Sequence, residues 1–132
     1  MRIFLSLYLA IFSLSVLAID STEAQRNPQS VIHYFFDSLH ANKLNDVKSI
    51  ISPRLKIKYS GSESETTLEN WAIGFRSVTI LKLDDGEEIK PYQGATRTIK
   101  YHVLHDLSGH HFKDIIAVSL INGLWYWDQD HH

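Results

Sequence analysis

The sequence predicts an α+β domain in which helices come first and a strongly curved antiparallel sheet wraps around them. Three observations predict it. Apolar residues in the first half recur at helical spacing, those in the second half alternate, and Ser108-Gly109 and Asn122-Gly123 separate alternating runs as hairpin turns do. With 132 residues, 44% hydrophobic and 21% charged, the chain falls in the range of one globular domain.

The chain begins "MRIFLSLYLAIFSLSVLA", with Arg2 followed by an uncharged apolar run from Ile3 to Ala18. This is a secretory signal pattern. Small residues fit cleavage after Ala18, with Val16, and after Ala24, with Thr22. The polar "IDSTEAQ" reads as the cleavage region, so the expected division is a signal peptide over 1–24 and a domain over 25–132. An uncleaved anchor is the competing reading, since the apolar run is slightly short of a membrane span. Cysteine is absent, which excludes disulfides, thiolate metal sites and a lipidated cysteine after the signal. The expected location is secreted or cell envelope, with no membrane association once the signal is removed.

In "NPQSVIHYFFDSLHANKL", Asn27 is a helix cap, Pro28 suits the first turn, and Val31, Ile32, Phe35, Phe36 and Leu39 form one face. His33, Asp37 and His40 gather on the opposite side. A second helix follows in "DVKSIIS" and stops at Ser52-Pro53. "RLKIKYS" alternates Leu55, Ile57 and Tyr59 with charged neighbours and predicts a strand. After the polar loop "GSESE", Thr66 and Glu69 have capping-box spacing, and Leu68, Trp71, Ala72 and Phe75 line a third helix. Strands follow in "SVTILKL", a turn at "DDGE", a weak extended piece through "IKPYQG", then "TRTIKYHVLHDL", "FKDIIAVSLI" and "LWYWDQD".

"VIHYFFDSLHANKLNDVKSIISPRLK", a helix bearing Trp71 and strands ending "LINGLWYWDQD" together resemble the NTF2-like superfamily, related to ketosteroid isomerases and SnoaL-type cyclases. The resemblance implies a cone: three N-terminal helices packed on a curved sheet. "SPRLK", "FRSVTILKL" and the closing aromatic strand are similar to an exported branch from Gram-positive bacteria. In the isomerase branch a first-helix tyrosine and sheet carboxylates act inside the cone. Counting back from Leu44 lands that tyrosine position on Phe35, with Tyr34 about 100° round the helix.

The catalytic candidates are therefore Asp114, which alternates with Phe112, Ile116, Val118 and Leu120, and two hydrogen-bond donors, Tyr34 and Tyr101. A carboxylate desolvated in an apolar cone could act as a base. Asp114 also lies close to the "SGHH" turn, where it would be a solvated rim residue, and Asp106 lies near the same turn. Trp71, Tyr101 and Tyr126 are the candidate ligand-binding rings; Trp125 and Trp127 share the other face of the last strand from Tyr126.

No metal or cofactor is expected. His102 and His105 are three apart on a strand and face opposite ways. His33, Asp37 and His40 have ligand spacing but occupy the solvent side of their helix; His110, His111, His131 and His132 lie at a turn and the terminus. Neither G-x-S-x-G nor H-E-x-x-H occurs, and the glycines are too dispersed for a phosphate loop. A formal charge of -2 without a basic stripe excludes a nucleic-acid partner. The expectation is a non-catalytic domain binding a small molecule or a protein, with a homodimer through the sheet possible. The alternative is a small isomerase- or cyclase-type enzyme.

Overall fold

The computed structural model of the chain describes residues 20–60 and 67–130. The apolar run of the leader, the loop "GSESE" with Thr66, and His131 and His132 lie outside the described residues. The architecture is α+β, with five helices among the described residues and an antiparallel sheet curled into a half-barrel.

The helices are α1 (Ser21–Ala24), α2 (Pro28–His40), α3 (Leu44–Ser49), α4 (Pro53–Lys58) and α5 (Leu68–Ile73). In α2 the Asn27 side chain accepts from the Gln29 N–H, Pro28 occupies the first turn, and Val31, Ile32, Phe35, Phe36 and Leu39 are buried, as their spacing predicts. Helix α5 is capped by Thr67, whose hydroxyl accepts from Asn70 N–H. Glu69 pairs with Lys48 of α3, and Thr66, its expected partner in a capping box, lies outside the described residues.

The strands are β1 (Val78–Leu83), β2 (Glu87–Ile89), β3 (Arg97–Leu107), β4 (His110–Ile121) and β5 (Leu124–Trp127), ordered β1-β3-β4-β5 with β2 also on β3. Both expected hairpin turns are present, with positive φ at Ser108 and Gly109 and at Asn122 and Gly123. The Ser108-Gly109 turn sets Leu107 opposite His110, and the register continues to Val103 opposite Asp114 and Tyr101 opposite Ile116.

Two elements differ from the sequence-based expectation. The stretch "RLKIKYS" is helical, not a strand: Ser52 caps α4 through Leu55 N–H, and Pro53 presets the first turn. Leu55 and Tyr59 are buried four residues apart, while Ile57 is 74% exposed, so the operative period is helical. The second is the extended piece after "DDGE", where the chain turns locally without reversing. Both β1 and β2 run antiparallel to β3 along the same side, so they form one interrupted edge. At the interruption Asp84 Oδ1 accepts from Gly86 N–H at 3.1 Å and from His102 N–H at 3.0 Å. The extended piece thus shrinks to Glu87–Ile89, and the chain beyond it bends so that Tyr92 N–H reaches Thr98 Oγ1.

The opposite edge is closed by the N-terminal half. Trp125 N–H donates to Gln25 O at 2.8 Å, Trp127 N–H to Ile50 O at 2.8 Å, and Ser52 N–H to Trp127 O at 2.9 Å. Covering the edge in this way leaves β5 no free donors to template another strand.

Candidate functional site

Rings occupy the interior of the half-barrel. Phe35 stacks on Trp127 with centroids 3.8 Å apart, and Trp71, Phe75 and Phe36 meet this pair edge-on. Val103, Ile116 and Val118 close the cluster from the sheet. The position that the isomerase resemblance assigns to a tyrosine is thus filled by Phe35, fully buried and without a polar atom.

The three catalytic candidates lie in three different surroundings. Tyr34 is on the outer side of α2, where burial, reinforced by the Asp46 charge, raises its pKa. Tyr101 is buried under the β1–β2 interruption, against Gly86; burial first, then the Asp84 charge, raises its pKa. Asp114 stands on the inward row of β4, but its side chain is 44% exposed and its Oδ1 accepts from Ile115 N–H. It is a carboxylate of the rim.

A titratable neighbour of Asp114 is His105, a residue the sequence reading considers only for metal binding. Its Nε2 is 3.8 Å from Asp114 Oδ2. His105 is fully buried between the rings of Phe36 and Phe112, at centroid distances of 5.4 and 5.0 Å. Neither ring nitrogen makes a well-formed hydrogen bond, although the Thr79 backbone lies alongside. Burial therefore pushes its pKa below 6.5, and Asp114 and Thr79 only partly oppose that. The signal was available in the sequence. A two-residue turn at Ser108-Gly109 sets His105 opposite Phe112, diagonal to Asp114.

Of the candidate ligand-binding rings, Trp71 is a core residue stacked on Tyr59 at 5.2 Å, and Tyr101 is likewise buried. Tyr126 is half-buried on the other face, opposite Ser119. They do not line a common surface.

Among the described residues, clefts lie outside the cone. A cleft of 670 Å³ runs along the outer side of α2, lined by Ala24, Arg26, His33, Tyr34, Asp37 and Asp46 among others. His40, expected beside His33 and Asp37, turns away and places Nε2 2.7 Å from Val78 O. Among the described residues no three histidine or carboxylate side chains converge as metal ligands.

A second cleft, of 400 Å³, is bounded by Arg54, Tyr92, Gln93, Asp128, Gln129 and Asp130. It borders a buried polar network that alternation did not reveal. The Asp128 carboxylate, fully buried, accepts from Ser52 Oγ and Ser119 Oγ, each at 2.6 Å, and Ser119 in turn meets Thr98 Oγ1 at 2.9 Å. Every oxygen of that carboxylate is occupied by protein donors, so the network reads as a clasp and not as a reactive group.

No protein-family model matches the chain, and no curated protein matches it in sequence. Among the described residues no helix is long and apolar enough to cross a membrane.

Proposed function

We propose that the chain is an exported NTF2-like domain that binds a small molecule or a protein partner without catalysis, through the cleft outside α2. The observation that carries this reading is the filled cone: Phe35 on Trp127, ringed by Trp71 and Phe75, takes the space where an isomerase would hold substrate. The cleft offers what a binding surface needs, an aromatic floor at Tyr34 with both signs of charge around it, from Arg26 and Lys43 to Asp37 and Asp46. The apolar run ending at Ala18 supports export, to the medium or the cell envelope. A homodimer through the sheet is part of the same proposal.

The test is a fragment titration followed by amide chemical shifts. Shifts clustered at Ala24, Tyr34 and Asp37 agree with the proposal; shifts at Tyr101, Val103 and Ile116 would mean that the cone itself admits ligands and would overturn it.

A second reading has one observation in its favour. Buried, neutral His105 beside the Asp114 carboxylate is a pair suited to proton transfer at the cone mouth, once Phe112 moves aside. It requires turnover that is lost in both Asp114→Asn and His105→Gln.

A further inference from the structure

We infer that the leader is removed after Ala18, and that Asp20 to Arg26 remain in the exported protein as one wall of the cleft. The inference rests on the export reading above and deepens it, because it decides which residues form the binding surface. The sequence offers two bonds, Ala18–Ile19 and Ala24–Gln25, and the polar "IDSTEAQ" taken alone favours the second. The fold favours the first.

Residues on both sides of the second bond are structural. Asp20 accepts from Glu23 N–H at 2.8 Å and caps α1. Ala24 and Gln25 are each 4% exposed. Gln25 N–H donates to Ser21 O at 2.9 Å, while Gln25 O accepts from Trp125 N–H at 2.8 Å and closes the free edge of β5. Glu23, Ala24 and Arg26 line the cleft opposite Tyr34 and Asp37.

Cutting after Ala24 would convert the buried, hydrogen-bonded Gln25 amide into an α-ammonium and remove the Ser21 carbonyl that receives its proton. A charge at so buried a position, without its partner, is disfavoured. The same cut would strip Glu23 and Ala24 from the cleft and leave one side of α2 open. Cutting after Ala18 leaves the Asp20 cap, the α1 turn and the cleft wall intact.

The experiment is the intact mass of the protein released when the full chain is produced in an exporting host. The expected product begins at Ile19. Thr22→Arg, which places a large exposed residue three before the Ala24–Gln25 bond, leaves that product unchanged, whereas Ala18→Gln abolishes it. A product beginning at Gln25, with processing blocked by Thr22→Arg, overturns the inference while leaving export standing. A chain that stays unprocessed and inside the cell overturns both.

Discussion

Arg54 holds Asp128 at two points: its Nε donates to the carboxylate Oδ1 at 3.1 Å, and its Nη2 to the backbone O at 2.8 Å. The contact ties α4 to the tail after β5, and Tyr92 covers the guanidinium with its ring centroid 5.2 Å away. Asp128→Ala removes the acceptor of Ser52, Arg54 and Ser119 together. Unfolding in urea should show a loss of about 3 kcal/mol, the low end for breaking a buried pair because Arg54 still reaches water. Ser119→Ala should cost about 1 kcal/mol, the ordinary value of one hydrogen bond. Equal stability of Asp128→Ala and the parent would refute the clasp.

Gly86 sits at φ +84°, and a Cβ there would lie 2.6 Å from Tyr101 Cε1 and 2.8 Å from Ile99 Cγ2. Gly86→Ala therefore combines left-handed strain with overpacking and should lower stability by about 2–4 kcal/mol. Gly109→Ala is the control, since φ is +88° there but nothing lies within 4 Å of the added carbon. It should cost only about 1 kcal/mol. Thermal unfolding of the two variants side by side distinguishes strain from collision.

Leu55 and Ile57 separate the helical from the extended reading of "RLKIKYS". Leu55→Ala should cost about 2–4 kcal/mol as a core truncation. Ile57→Lys, at a position 74% exposed, should stay within about 0.5 kcal/mol of the parent. A strand burying Leu55, Ile57 and Tyr59 on one face would make both changes harmful.

Stability should fall as the medium is acidified below pH 6.5, because the folded state binds the His105 proton less readily than the unfolded chain does. The stabilisation from neutral His105 is complete above 6.5 and is lost as pH falls through the depressed folded value. The groups facing the ring are Asp114 from β4 and the backbone of Thr79 from β1, with His40 of α2 beyond the Phe36 ring. Asp130 acts in a separate window. Burial raises its pKa, but hydrogen bonds from Lys58 and Tyr59 and the charges of Lys58 and Arg54 outweigh that, so its contribution is lost only below 3.8. Urea midpoints between pH 7.5 and about 5 should slope in the parent and flatten in His105→Leu. Parallel slopes would contradict the assignment to His105.

What the sequence made legible were the elements whose signals are local. Helix α2 carries its own cap, first-turn proline and a full amphipathic face, and the β3-β4-β5 meander carries its turns. The alternating row through Asp114 could be read directly, and its place near a turn pointed to the rim. Helix α4 is hard to read because in the seven residues "RLKIKYS" Leu55 and Tyr59 fit either period, and its clasp to Asp128 involves a residue 76 positions from Ser52. At Asp84–Gly86 the sequence signals a turn, and the same residue types serve the edge-strand kink found there, so which of the two forms is set by pairing with β3. The pairing of His105 with Asp114 needed only the register that the Ser108-Gly109 turn sets. The outer cleft was out of reach, since it depends on α1 folding back beside α2.

The most direct measurement of the central claim, a cone filled by its own rings, is a crystal of the domain pressurised with xenon, which enters dry apolar cavities. The account predicts no xenon among Phe35, Trp71, Tyr101 and Trp127. A xenon atom bound between those rings would contradict it and return the cone, with Asp114 and His105 at its mouth, to consideration as a substrate pocket.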